Sequence, residues 1–353
     1  MFFKKKNYVV GLDIGTSYVK MVQLKDVKEG GYELGFYDMM PLLPGTIAEG
    51  NITDKAQLTS VIRELMKKTG CKSADAVIGV SGHSSVIIKR ITIPTMTEEE
   101  LTNSIRYEAE QYIPFDIDDV NIDFQIIGPK QDEEGQMDVV LVAAKKNVIT
   151  DYAEAAEEAG LNVILADVDS FALSNMYEFN YDTTAKRIVA LINVGATNSI
   201  INILQDGLPV FTRDSAIGSG HHTDMLEEEL SISKEDAERL KLGRAVDGVD
   251  PEQAQTIITN ASEDIYGEIS RSFDYFRSSV GFEEINGIIL GGGAAVLKGF
   301  PEMMAERLGI EVELADPFKG LKIPDTLNKD FLKEMGPMAA VAVGLALRRE
   351  DDK

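Results

Sequence analysis

A short hairpin core occurs twice in this chain, and no other feature narrows its fold as much. Leu12-Asp13-Ile14-Gly15-Thr16-Ser17 returns as Ile192-Asn193-Val194-Gly195-Ala196-Thr197, with the two glycines 180 residues apart. Each copy sits between β-branched runs, Tyr8–Ile14 with Val19–Leu24 and Ile188–Val194 with Ser199–Leu204, so each reads as strand, tight turn, return strand. One copy per half-chain predicts a duplicated domain with a cleft between the halves. The 353 residues are enough for two sizeable cores.

The remaining segments alternate strand and helix, which predicts an α/β protein. Apolar spacing predicts a helix over 55–69 stopped by Gly70, strands over 75–80 and 85–93, and a helix from Thr97 to Tyr112 cut by Pro114. Residues 116–134 carry seven acids and one lysine around Val120, Ile122, Phe124, Ile126 and Ile127. That alternation predicts an edge strand and then a solvated loop over 130–135. A buried strand over 137–144, a helix over 147–159, a strand over 163–168 and a helix over 170–178 follow. The polar stretch Asn180–Lys186 is the expected hinge.

Composition excludes several classes. Lys and Arg number 35 against 59 Asp and Glu, a formal charge of −24, so sequence-independent nucleic-acid binding is excluded. A single cysteine, Cys71, allows no intrachain disulfide and no multi-cysteine metal site. The longest nearly apolar run, Met338–Leu347, is half the length of a membrane-spanning helix, which takes about 20 residues. Met1-Phe-Phe-Lys-Lys-Lys6 has no apolar region behind it and reads as a solvated tail rather than a secretory signal. No G-x-x-x-x-G-K-[ST], G-x-G-x-x-G, H-E-x-x-H or G-x-S-x-G motif occurs. Of the three histidines, His221 and His222 read as surface or packing residues at a helix start, and His83 stands alone.

The motifs left point to phosphate. A turn such as Gly15-Thr16-Ser17 or Gly195-Ala196-Thr197 offers backbone N–H groups in a nest that binds phosphate oxygens. Lys20 would add a point charge, and Asp13 at the strand end is placed for a hydrated magnesium ion. Gly291-Gly292-Gly293 ends an apolar strand before a short helix, and three glycines let a flat ring approach the backbone. Glu238 and Lys241, one helical turn apart, would reach a sugar hydroxyl and a base, or form an exposed ion pair.

In that order these stations resemble the actin, heat-shock ATPase and sugar kinase superfamily. Within it, the chain resembles the PilM family of type IV pilus assembly proteins, on Val10–Lys20, Glu108-Ala-Glu-Gln-Tyr-Ile-Pro-Phe115, Phe211-Thr-Arg-Asp214, Arg271–Phe276 and Gly344-Leu-Ala-Leu-Arg348. The resemblance implies duplicated actin-like, ribonuclease H-like domains around a nucleotide cleft, with an inserted subdomain as in the cell-division protein FtsA. The implied divisions are 1–77 with 165–186, the insertion 78–164, 187–216 with 284–353, and 217–283. Connecting helices are implied at Asp169–Tyr177 and Ala339–Leu347.

The resemblance also implies ATP or ADP with Mg2+. Gly15, Thr16, Ser17, Lys20, Gly195, Ala196 and Thr197 would hold phosphate, and Glu238, Lys241 and Gly291–Gly293 the nucleoside. Asp13, Asn193 and Asp169 would surround the metal. The superfamily's hydrolases usually carry Asp where this chain has Asn193, and an amide neither supplies that charge nor accepts a proton. Slow hydrolysis, or none, is therefore implied. The implied partner is the cytoplasmic amino-terminal peptide of PilN, held in a groove near Val77–Val80, Ile87–Ile91 and Tyr107. Membrane contact would then be indirect, at the cytoplasmic face of the inner membrane, with room for other pilus platform proteins and for self-association. The alternatives are an FtsA-like polymerising protein and a sugar or small-molecule kinase. FtsA's carboxy-terminal amphipathic helix has no counterpart in Arg348–Lys353, and no base beside an acceptor pocket is evident for a kinase.

Overall fold

The computed structural model describes residues 8–349 except 29, 73, 83, 131–132, 185–186 and 281–283. The basic amino-terminal tail, His83, the end of the expected hinge and the last four residues lie outside it. The chain opens with strands β1 (Tyr8–Ile14), β2 (Tyr18–Asp26) and β3 (Tyr32–Pro41), a small pair β4 (Ile47–Ala48) and β5 (Asn51–Ile52), helix α1 (Lys55–Thr69) and β6 (Asp75–Val80). Next come β7 (Val86–Pro94), α2 (Glu98–Glu110), β8 (Val120–Pro129), β9 (Gln136–Lys145), α3 (Lys146–Ala159), β10 (Asn162–Val168) and α4 (Asp169–Asn180). The second half holds β11 (Ile188–Val194), β12 (Ser199–Gln205), β13 (Leu208–Ser215), α5 (Gly220–Leu230), α6 (Lys234–Lys241), α7 (Pro251–Val280) and β14 (Gly287–Gly292). It closes with α8 (Phe300–Leu308), β15 (Val312–Leu314), α9 (Lys329–Met335) and α10 (Ala340–Leu347).

Local chemistry sets the boundaries. Asp54 caps α1 by accepting the Gln57 amide, and Gly70 ends it in the left-handed region at φ 70°. Thr97 and Glu100 form a reciprocal capping box on α2. The sequence missed β3, β13 as a strand, and the 30-residue α7. The α7 signal was present, since Ala254, Ile257, Ala261, Ile265, Ile269 and Phe273 recur at three- and four-residue intervals and are buried.

The two large sheets share one topology. Their orders are β3-β2-β1-β6-β10 and β13-β12-β11-β14-β15, with three antiparallel strands followed by two parallel ones. The additions differ. The first half carries a separate sheet, β7-β9-β8, covered on one face by α2, and β8 is an edge as expected. The second half instead carries α5, α6 and α7 between β13 and β14.

Helices α4 and α10 fill the space between the large sheets, in one core with Val22, Val77, Leu191 and Ile289. They cross so closely that a Cβ on Gly344 would collide with the Ala172 carbonyl, and α10 lies so close on β1 that one on Gly11 would collide with the Ala342 carbonyl. Between α10 and β15 the chain leaves the second sheet and caps the edge of β3. Leu34 N–H donates to Lys322 O, Lys322 N–H donates to Tyr32 O (both 3.0 Å), and Phe331 stacks on Tyr37.

Candidate functional site

The two hairpin turns meet. Gly15 N–H donates to Tyr18 O at 3.0 Å and Gly195 N–H to Asn198 O at 2.9 Å, so the same bond closes both turns. Thr16 Oγ1 and Thr197 Oγ1, from opposite halves, lie 3.2 Å apart. Each turn is propped from behind by the segment after its third strand. Leu42 N–H donates to Ser17 O at 2.8 Å, while Ser219 and Gly220 N–H donate to Gly195 O and Ala196 O at 2.8 and 2.7 Å. Among the described hydrogen bonds, the amides of Thr16, Ser17, Ala196 and Thr197 donate to nothing. The glycine amides are spent inside the turns, so the four residues after them carry the free donors.

The first-half wall is charged. Lys20 Nζ lies 2.8 Å from Asp13 Oδ2 directly across the hairpin, and both side chains are nearly buried. Asp169, the first residue of α4, is half-buried, and its Oδ1, shut off from solvent, lacks any hydrogen-bond partner. That oxygen sits over Gly79, where a Cβ would collide with it. Burial, reinforced by the Asp13 carboxylate, pushes the Asp169 carboxyl up to about 7, while a hydrogen bond from Ser81 acts against the rise. An orphaned carboxylate oxygen beside a second carboxylate suits a hydrated divalent cation. Among the described residues no three His, Cys, Asp or Glu converge to hold a metal by themselves. Such an ion would need further oxygen ligands, as a hydrated Mg2+ on a polyphosphate has.

The second hairpin is neutral where the first is charged. Asn193 occupies the position of Asp13, and Ile200 faces it where Lys20 faces Asp13. Gly291, beside Asn193 on β14, has Pro337 O 3.1 Å from where its Cβ would lie. Gly292 has φ 87°, and a side chain there would run into the backbone of Val194. Gly292 is thus required by strand packing, and Gly291 is tightly packed. Only Gly293 has room, with Ser219 Oγ 3.7 Å from its Cβ position. A single turn of 3-10 helix, Gly293–Val296, follows.

Glu238 and Lys241 form more than an exposed pair. Lys241 Nζ donates to Glu238 Oε1 at 2.7 Å and to Thr223 Oγ1 at 3.0 Å, and Thr223 donates to the same carboxylate oxygen at 2.6 Å. Burial works to raise the Glu238 carboxyl, but the bonds from Lys241 and Thr223 prevail and hold it low. His222, at the start of α5, is buried, with one ring nitrogen 3.1 Å from Ser219 O and the other 2.9 Å from Ser262 Oγ. Burial pushes its imidazole down to about 4. His221 pairs with Asp264 at 2.8 Å.

In the expected partner groove, Val77, Ile78 and Val80 are buried within the first sheet and line no surface. Tyr107 is 79 % exposed. Sequence reading also missed Ser81, Gly79, Thr223 and Asp214 as members of the site. Only the Phe211–Asp214 segment carried a signal, and it gave no role.

The family described as type IV pilus assembly protein PilM matches residues 11–350. The chain belongs to the PilM family. It is 23% identical to the cell division protein FtsA of Enterococcus hirae over 92% of this chain and 82% of that one. It is 24% identical to FtsA of Streptococcus pneumoniae over 99% of this chain and 85% of that one. Among solved structures, one titled as the PilM–PilN type IV pilus biogenesis complex matches with TM-score 0.85 and 25% identity, covering 99% of this chain and all of that one. The ethanolamine utilization protein EutJ of Carboxydothermus hydrogenoformans matches at TM-score 0.59 and 15% identity, over 97% of this chain and 90% of that one. ADP-bound MreB5 of Spiroplasma citri matches at 0.51 and 12%, over 96% and 94%. The fold is the actin-like one, and the chain is a pilus assembly protein of that fold.

Proposed function

We propose that this PilM-family chain is a nucleotide-binding scaffold of the type IV pilus platform that docks the cytoplasmic amino-terminal peptide of PilN. The observation that carries the nucleotide half is the Thr16–Thr197 contact at 3.2 Å, which brings two propped turns with free amides to one point. Those amides and Lys20 would hold the phosphates of ATP or ADP. Asp13 and Asp169 would hold Mg2+ through water, with Asn193 opposite, and the Thr223–Glu238–Lys241 triangle and Gly293 would border the nucleoside. The bound metal supplies charge neutralisation between the phosphates and the first wall. Asn193, at the position that matches Asp13, is an amide and cannot take a proton from water, which supports slow hydrolysis or none. The PilN half is supported by the likeness to the PilM–PilN complex along the whole chain. Among the described residues no helix is long and apolar enough to cross a membrane, so recruitment to the inner membrane would run through that partner.

Calorimetric titration with a PilN amino-terminal peptide, with and without Mg-ATP, tests the reading. Peptide binding that strengthens with Mg-ATP is the expected result. Peptide binding indifferent to nucleotide would leave a scaffold without a switch, and no binding by a folded protein would sink the scaffold reading. A second reading, an FtsA-like polymer, is favoured by the end-to-end likeness to FtsA proteins. Sedimentation with ATP and lipid separates the two, since a filament former pellets.

A further inference from the structure

One contact beside Asp169 leaves the first half altogether. Gly82 N–H donates to Asp214 Oδ2 at 2.8 Å, joining the segment after β6 to β13 of the second half. The residue before it, Ser81, lies beside the Asp169 carboxylate, on which the Asp214 charge also acts. Gly82 has φ 101° with nothing within 4 Å of its Cβ position, so the backbone there has room to move and a conformation that favours glycine. Three residues later Ser85 immediately precedes β7 of the inserted sheet, its carbonyl accepting Lys145 N–H at 2.9 Å. The Ser81–Gly82 dipeptide is therefore one stem by which the inserted sheet hangs from the cleft, the run of β9 into α3 being the other, and Asp214 is the second half's grip on it.

The neighbouring seam is made the same way. Thr212, two residues before Asp214 and on the same face of β13, donates to Asn202 Oδ1 at 3.0 Å. Asn202, fully buried on β12, donates to Ser170 O and Ser174 Oγ of α4, both at 2.8 Å. Asp169 Oδ1 and Ser170 Oγ remain buried without partners along this line. Directional bonds interrupted by orphaned polar atoms hold two bodies in discrete positions, where an apolar seam would slide or stay shut. A group that engaged Asp169 from the cleft would change what Ser81 holds, and Ser81 is one peptide bond from the amide held by Asp214.

We propose that Asp214 is a coupling residue: its bond to the Gly82 amide fixes this stem of the inserted sheet to the second half, and the occupied cleft acts on that bond through Asp169 and Ser81. The second clause rests on the nucleotide reading above; the first does not.

Hydrogen–deuterium exchange of the full chain over Val80–Ile88 tests both clauses. Without nucleotide, Asp214→Ala should exchange about tenfold faster there than wild type, whereas Asp214→Asn, which keeps an oxygen acceptor, should stay within about threefold. Equal rates in wild type and Asp214→Ala overturn the latch. If Asp214→Ala does not fold, the Asp214→Asn comparison and Ser81→Ala take its place: Ser81→Ala should keep the apo protection. With Mg-ATP bound, exchange in wild type should shift by about threefold or more and stay unchanged in Ser81→Ala and Asp214→Ala. A shift in both variants equal to that of wild type overturns the coupling. A wild type that takes up no Mg-ATP in calorimetry defeats the nucleotide reading and the second clause with it, while the apo comparison still decides the first.

Discussion

The two walls of the cleft are the same hairpin built with different charge. In the first half Asp13 faces Lys20 across the strands and Asp169 stands half-buried beside them with one orphaned oxygen. In the second, Asn193 faces Ile200, and the backbone carbonyl of Pro337, just ahead of α10, lies against Gly291. Duplication kept the backbone, the closing bonds and the props behind each turn, and electrostatics diverged on top of them. A charged wall can position a metal and its phosphates, and a neutral wall can close on them without adding repulsion to an already acidic protein. The asymmetry is what separates a binder from an efficient hydrolase in this reading.

The largest effect should come from removing the ground both walls share. Gly344→Val puts a branched side chain where even a Cβ meets the Ala172 carbonyl, so α10 must move off α4. Overpacking against backbone predicts a loss of about 3 kcal/mol or more, read by denaturant unfolding. A variant of wild-type stability would mean that the two helices do not lock the halves together.

The charged wall should itself weaken the empty protein. The Asp169 carboxyl is ordinarily half-ionised near 4 when unfolded but is pushed up to about 7 when folded, by burial first and Asp13 second. Its contribution is therefore intact below about pH 4, is lost as pH rises towards 7, and stays lost above. Asp169→Asn should be more stable than wild type at pH 8 in metal-free buffer, with the gain vanishing near pH 4. Parallel unfolding curves at both pH values would refute the assignment of strain to this carboxylate.

The second half titrates in the opposite sense. His222, pushed down to about 4 by burial, stays neutral while an unfolded histidine takes a proton near 6.5. Its contribution is present above about pH 6.5 and is lost as pH falls towards 4, by roughly 3 kcal/mol in all. Since Asp169 and His222 oppose each other across that window, their contributions partly cancel in wild type. His222→Gln should uncover a fall in stability with rising pH, and Asp169→Asn the reverse slope. Profiles that do not separate would show that the two groups are not the ones titrating.

What the sequence revealed and what it hid divide along the same line. The hairpins, their glycines and the 180-residue repeat were legible because turn chemistry and strand periodicity are local. The helix bounds at Lys55–Thr69 were legible through Asp54 and Gly70. Nothing local shows that Lys20 spends its charge on Asp13, that Gly292 serves strand packing, or that Lys241 is nearly buried in a triangle with Thr223. The strand β3 escaped because its half-buried residues follow no clean alternation. Asp169 was placed only by resemblance, and its orphaned oxygen depends on Gly79, ninety residues away in sequence. The Gly82–Asp214 bond spans 132 residues and leaves no trace in either segment.

The smallest change in stability should come from giving the second wall the first wall's charge. Asn193 is only partly buried, and its side-chain oxygen already lies 3.3 Å from the Cβ position of Gly291, so Asn193→Asp needs no new space. With Ile200 opposite, the new carboxylate gains no lysine and should cost about 1 kcal/mol or less. Its chemical consequence should be larger than its structural one. A carboxylate there can accept a proton from water, a contribution of about 100-fold where such a base is well placed, so ATP turnover should rise well above wild type. The measurement is phosphate release under saturating Mg-ATP, paired with the affinity for nucleotide. A rise in turnover with affinity held would locate the deficit in the neutral wall. Unchanged turnover would move the cause to Ala196 or to the closure of the cleft, and the comparison of the two hairpins would lose its functional meaning.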